Sequence, residues 1–304
     1  MRIGVVGLGK MGSRIAKKLY GEHDVIVWNR SKEPINELKS YVKALKTATS
    51  IKNLVQALKK PRVIWSMVPS GKPTDEVLSE VSKYIQKDDI VIDGGNANYR
   101  DTEKRYQKFK KNGIKFLGIG VSGGVLGEER GFSLMVGGDK SVYDYVEPLL
   151  KTLSKPSGIY EYLGQGGAGH FAKMVHNGIE YGMMQSLAEG FDVLKNSKYK
   201  LDLSKVAKVY SRGAVVSGLL VDLAKDFLEK NPELSGISGV IPRGGEGDWT
   251  VAAAKEEKVP VDLIERSVEF RRKSEKDAKI QNSFTAKMIN ALRNAFGGHE
   301  IKKK

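Results

Sequence analysis

The hexapeptide Gly7-Leu8-Gly9-Lys10-Met11-Gly12 follows an apolar run at 3–6 and opens a helical pattern, and this constrains the fold more than any other feature of the chain. A glycine is needed where the turn is tight, a second where backbone approaches a pyrophosphate, and a third where helix meets strand. The helix start then offers unpaired N–H groups to the anion. The six residues from Gly7 to Gly12 are therefore expected to cradle a dinucleotide, in a Rossmann-like unit that begins at the first residues.

The next β-rich run, 25–28, identifies the nucleotide. An acid at its end would accept from the ribose 2′-hydroxyl of NAD, but the chain reads Trp28-Asn29-Arg30-Ser31-Lys32, with no acid before Glu33. Asn29, Arg30 and Ser31 are expected to meet a 2′-phosphate instead, which makes NADP the expected cofactor.

Further strand-length runs at 63–68, 90–92 and 116–119 alternate with helical patterns at 13–20, 35–41, 74–85 and 100–112. Repeated βα units imply a mainly parallel sheet with right-handed crossovers. After 133–137, a helix at 143–153 and a strand at 159–162, the strand signals stop, and from Gly166 the period is helical, broken at Asn231-Pro232, in the Gly-rich stretch 236–247 and at Val259-Pro260. The expected organisation is an α/β nucleotide domain over 1–164, an all-helical domain over 165–292, and a tail over 293–304.

A length of 304 residues suits two packing units, and 40% hydrophobic with 29% charged residues argues against global disorder. There is no cysteine, which removes disulfides, thiolate nucleophiles and cysteine metal sites, and with only four histidines no metal is expected. No basic-then-apolar leader and no uninterrupted apolar stretch of about 18 residues is present, so a cytoplasmic protein without a membrane segment is expected. The balance of 51 Lys and Arg against 36 Asp and Glu gives +15, which raises nucleic-acid binding as an alternative. The cations are largely interspersed with acids, as over 266–279, and a pure run closes the chain at 302–304, so solvated helix faces and no nucleic-acid partner are expected.

Three glycine-bearing loops, Met67-Val68-Pro69-Ser70-Gly71, Asp93-Gly94-Gly95-Asn96 and Gly120-Val121-Ser122-Gly123-Gly124, fall where such a sheet presents its strand ends to ligand. Val68, Pro69 and Asn96 are expected on the cofactor side. Beyond them, Lys173, His176, Asn177 and Glu180 recur at helical spacing, so four polar groups share one helix face. A lysine desolvated in a cleft serves as a base near neutrality, and Glu180 offers a second proton-transfer group.

With these residues the chain resembles the decarboxylating 6-phosphogluconate dehydrogenases, in a short form, within the 3-hydroxy acid dehydrogenase superfamily. The stretches that carry the resemblance are GLGKMG, Asn29-Arg30-Ser31, DGGNANYRDT, GVSGG, GFSLMVGG, KMVHNGIEYGMMQ, GEGDWT and RNAFGGH. It implies NADP-dependent oxidative decarboxylation of 6-phosphogluconate to ribulose 5-phosphate, as in the pentose phosphate pathway and gluconate utilisation. It implies further that Lys173 is the base at the C3 hydroxyl and Glu180 the acid that protonates the enediol. Asn96, Ser122, Gly123, Gly124, His176, Asn177 and Tyr181 would position the sugar acid. The resemblance also implies substrate binding and dimerisation for the helical domain over 165–292, and Arg293 and His299 would enter the site of a neighbouring subunit, in a homodimer or a tetramer built from dimers.

Two positions depart from the family. Asp248 stands where it has a cation before Trp-Thr, and Ser217 where it has an arginine closing Gly-x-Val-Val. Both replacements weaken a 6-phosphate site, so an unphosphorylated acid such as gluconate is the alternative substrate, with Arg212, Arg243 and Arg293 as compensating cations.

Overall fold

The computed structural model describes residues 1–242 and 244–298. The chain divides into two compact units, 1–174 and 175–304.

The first unit is built on eight strands: β1 (Arg2–Val6), β2 (Asp24–Trp28), β3 (Lys46–Thr47), β4 (Val63–Ser66), β5 (Ile90–Asp93), β6 (Lys115–Ser122), β7 (Ser133–Gly138) and β8 (Tyr160–Gly164). They lie in the order β3-β2-β1-β4-β5-β6-β7-β8, all parallel except the β6–β7 pair. The crossovers are α1 (Lys10–Tyr20), α2 (Glu33–Tyr41), α3 (Ile51–Gln56), α4 (Lys72–Ser82), α5 (Tyr99–Lys111), α6 (Gly127–Arg130) and α7 (Lys140–Ser154). Successive strand residues alternate faces, so Val5, Val27, Trp65 and Ile92 join one core while Val6, Ile26, Ile64 and Val91 join the other. Burial on both faces is why the strands read as unbroken apolar runs. The order reverses beside β1, and the turn 7–12 leaves β1 at that point.

The second unit is helical. It holds most of α8 (Ala168–Lys195), then α9 (Leu203–Tyr210), α10 (Leu219–Lys230), α11 (Gly245–Glu256), α12 (Asp262–Ser274), α13 (Ala278–Asn282) and α14 (Phe284–Gly297). Helix α9 packs on α10, α10 on α14, and α11 on α12. Asp202 caps α9 by accepting from the N–H groups of Ser204 and Lys205, and Ser283 caps α14 through the N–H of Ala286. Among the described residues no helix is long and apolar enough to cross a membrane.

Three features differ from the sequence reading. The units part at 174 rather than 164, because the first turns of α8 lie on the sheet. Strand β6 runs on through Ser122, beyond the expected end at Ile119. Arg293 lies inside α14 instead of opening a tail; the helix ends only at Gly298, whose φ of 61° suits a glycine stop.

Candidate active site

The turn after β1 has the geometry a dinucleotide requires. Gly7 has φ 92°, and a Cβ there would stand 2.5 Å from the Met67 carbonyl oxygen. A Cβ on Gly12 would stand 2.0 Å from the Gly7 oxygen, whereas one on Gly9 would meet nothing within 4 Å. The first and third glycines thus allow backbone to touch backbone, and the second leaves room for a ligand. Helix α1 starts with neither a side-chain cap nor an acid in its first turn, so its leading N–H groups suit an anion. Leu8 and Gly9 belong to this turn, and Lys10 and Met11 open the helix. Val68 and Pro69 close its other side: Val68 approaches Gly7, and the Pro69 carbonyl accepts from the Thr74 hydroxyl at 2.8 Å.

Asn29 acts mainly as a brace. Its Oδ1 accepts from Leu8 N–H at 2.9 Å, and its Nδ2 donates to the Ser31 carbonyl and hydroxyl at 3.0 and 3.1 Å. Arg30 and Ser31 are exposed at the end of β2.

The loop after β5 is fixed from both ends. Asp93 Oδ1 accepts from Gly95 N–H at 3.1 Å, and its other oxygen lies 3.3 Å from Arg105 Nη1. Asn96, at φ 46°, turns its carboxamide onto the backbone of Val121, accepting its N–H at 3.0 Å and donating to its carbonyl at 3.3 Å. β7 pairs with β6 on one edge as far as Ser122↔Ser133, and this amide pair holds Val121 on the other. Gly123 and Gly124 follow with φ 118° and 53° and turn the chain away.

Lys173 sits over this end of the first unit and is 6% exposed. Its Cβ lies 2.3 Å from where a Cβ on Gly120 would stand, so only glycine at 120 admits the lysine stem. The same close approach runs down the helix: a Cβ on Gly169 would stand 2.3 Å from the Met135 oxygen and 2.4 Å from the Gly118 oxygen, and one on Gly137 would stand 2.4 Å from Gly169 N.

One turn before Lys173, His170 is buried with Nδ1 2.7 Å from the Thr102 hydroxyl. Burial holds its pKa below the ordinary histidine value, with Asp93 opposing. The unfolded chain therefore takes up a proton below about pH 6.5 that the folded one refuses, and stability is lost as pH falls, by at most about 1.4 kcal/mol per pH unit. Urea unfolding at pH 7 and pH 5 is expected to show a larger loss for the parent than for His170→Gln. Equal losses would contradict this account.

In the second unit, α8 carries the remaining polar face. His176 Nδ1 lies 2.9 Å from Asn177 Oδ1, which makes the ring nitrogen the donor, and 3.9 Å from Glu180 Oε2. Tyr181 is buried against Arg271 of α12, whose guanidinium carbon lies 3.2 Å from the centre of the phenol ring. Arg271 is 2% exposed. Burial, with the Arg293 charge adding to it, lowers its pKa to about 10, and Tyr181 and Glu180 act in the opposite sense. Burial likewise lowers Arg293 and raises the Tyr181 phenol. Two desolvated guanidiniums that repel one another concentrate positive charge beside the tyrosine, only partly offset by Glu180.

Arg271 was not among the expected site residues. It lies in the 266–279 stretch read as a solvated face, yet α12 buries Ser267, Val268, Arg271 and Ser274 along one stripe. The small residues one turn to each side of the arginine are the signal that distinguishes it. Arg293 lies within α14, and its charge acts on Tyr181 and Arg271. Arg212, an expected compensating cation, pairs with Asp222 at 2.7 Å and is mostly exposed. Asp248 pairs with Arg272 at 3.1 Å, and Ser217 lies exposed in the loop before α10. Arg243 and His299 lie outside the described residues.

Residues 2–164 match the family described as the NAD binding domain of 6-phosphogluconate dehydrogenase, and residues 169–284 match that enzyme's C-terminal domain. The chain is similar to the Bacillus subtilis protein YqeC, 40% identical over 305 residues and the full length of both. It is also similar to a Haloferax volcanii protein named as an NAD(+)-dependent, decarboxylating 6-phosphogluconate dehydrogenase, 36% identical over 306 residues with 100% of this chain and 99% of the relative covered. A longer Bacillus subtilis relative of that same name is 37% identical over 281 residues, covering 88% of this chain and 60% of its own length. Among solved structures, Plasmodium falciparum 6-phosphogluconate dehydrogenase superposes with a TM-score of 0.83 at 31% identity, covering 90% of this chain and 62% of its own. A Mycobacterium tuberculosis 3-hydroxyisobutyrate dehydrogenase shares the fold, with a TM-score of 0.73 at 22% identity, covering 96% of this chain and 99% of its own.

Proposed function

The chain belongs to the 6-phosphogluconate dehydrogenase family, an oxidoreductase family with an NAD(P)-binding domain, and from that premise we propose that it oxidatively decarboxylates 6-phosphogluconate with NADP. The observation that carries the substrate is the buried pair Arg271 and Arg293 beside Tyr181. Two guanidiniums suit a phosphate dianion, and they offset the loss of a cation at Asp248, whose own charge is engaged by Arg272.

The nicotinamide supplies a hydride acceptor. Lys173 takes the C3 hydroxyl proton as the C3 hydrogen leaves with its electron pair. The ammonium then donates a hydrogen bond to the new ketone, which draws in the electrons of the breaking carbon–carboxylate bond as carbon dioxide departs. Glu180 returns a proton to the carbon that lost the carboxylate. The resemblance supports Asn96, Ser122, Gly123, Gly124, His176 and Asn177 as contacts of the sugar acid, and Tyr181 as a contact of its phosphate end. The resemblance to the family also supports a homodimer, or a tetramer of dimers, in which the tail residue His299 serves a neighbour.

The test is reduced-nicotinamide formation with 6-phosphogluconate and with gluconate side by side. The proposal requires kcat/KM at least about 100-fold higher for the phosphorylated acid, and equal values would favour the unphosphorylated alternative that Asp248 and Ser217 suggest.

Two relatives are named NAD(+)-dependent, so the nucleotide needs its own measurement. An exposed Arg30 where an acid would read the ribose supports NADP. Arg30→Ala is expected to lower kcat/KM for NADP roughly tenfold, the loss of one charge-assisted contact, with little change for NAD. Parallel losses with both nucleotides would remove Arg30 from the 2′-phosphate.

A further inference from the structure

Met67 follows β4 and stands between two glycine-bearing segments of the first unit. Its N–H donates to the Val6 carbonyl at 2.8 Å, which fixes its backbone beside β1. Its carbonyl oxygen closes on Gly7, and its Cβ lies 3.1 Å from the position a Cβ on Gly12 would take. On the other side its sulfur lies 2.7 Å from the corresponding position on Gly94. That sulfur accepts a hydrogen bond from the indole Nε1 of Trp65 at 3.1 Å, and Trp65 is fully buried.

A methionine side chain has three rotatable bonds and ordinarily adapts to whatever surrounds it. Here a donor fixed in the sheet core holds its far end. The loop that carries Asn96 is anchored to the same strand, since Gly94 N–H donates to the Ser66 carbonyl at 2.9 Å. A single thioether thus spans from the nucleotide turn to the Asn96 loop, and the glycines on each side leave no side chain of their own to take up slack.

We infer that Met67 is a positioning residue: its sulfur, held by Trp65, sets the spacing between the nucleotide turn 7–12 and the loop 94–96. The inference rests on reading those two segments as the cofactor and substrate sides of the site. Leucine matches methionine in volume and lacks the acceptor, so Met67→Leu removes the hydrogen bond while keeping the packing. Trp65→Phe removes the donor.

The test is a double-mutant cycle with two readouts. In turnover of 6-phosphogluconate, each single variant is expected to lose about tenfold in kcat/KM for the sugar acid, with nucleotide Kd changed less than twofold. The double variant is expected to be no worse than either single one. Unchanged kcat/KM in Met67→Leu, or losses that multiply in the double variant, would overturn the inference.

The second readout needs no substrate. In the 15N-labelled protein, addition of the preferred nucleotide is expected to shift the Trp65 indole N–H resonance, and Met67→Leu is expected to abolish that shift. If the parent fails to turn over 6-phosphogluconate, the proposed substrate has failed, and this resonance alone decides the positioning role. A shift that persists in Met67→Leu, or no shift in the parent, overturns it.

Discussion

Lys173→Met is expected to lower kcat by about 10² to 10⁴ while nucleotide Kd stays within about twofold of the parent. The methionine keeps the stem that packs over Gly120 and removes only the group that exchanges a proton. An interaction made chiefly in the transition state lowers kcat and kcat/KM together, with little effect on ground-state binding. A variant with near-parental kcat would eliminate the lysine as base. A variant whose KM rises at constant kcat would reassign it to substrate binding.

Arg271→Met is expected to raise KM for 6-phosphogluconate by more than about 30-fold, the lower end of the roughly 2–5 kcal/mol that accompanies loss of a buried charged partner. KM for gluconate should change far less, because that acid has no dianion to place there. The substitution also removes one of two repelling, desolvated cations from the free protein, so thermal stability is expected to hold or rise. Better binding with equal or lower stability for the native arginine marks a charge kept for its ligand. A uniform loss on both substrates, accompanied by a fall in Tm, would instead make Arg271 a structural partner of Tyr181.

The alternation of strand and helix patterns was legible along the first unit because parallel strands buried on both faces leave long apolar runs. The two-residue β3 was not legible, as a ladder that short leaves no periodicity to read. The end of β6 is illegible for another reason: Val121 and Ser122 are paired with Leu134 and Ser133 of β7, and Val121 is also held by the side chain of Asn96, contacts between residues apart in sequence. On the site, the helical spacing of Lys173, His176, Asn177 and Glu180 placed them on α8 directly. Arg271 escaped because a lone buried arginine in a charged helix has the same composition as a solvated one, and only its flanking small residues separate the two. That Arg293 lies within α14 was not legible, because the chain around it carries no helix period strong enough to show that the helix runs on to Gly297.

The contact of α8 with the sheet through Gly118, Gly120, Gly137 and Gly169 bears on how a lineage carrying this fold can change. At Gly137 and Gly169 any substitution adds a carbon where backbone already meets backbone, with no neighbouring side chain to shorten, and at Gly120 it adds one against the Cβ of Lys173 itself. The placement of Lys173 over the sheet therefore has little room to shift. Residues such as Arg271 and Asp248, on helices that meet through ordinary side chains, can be exchanged one at a time. Change is thus accommodated more readily on α11 and α12 than at the contact that places Lys173.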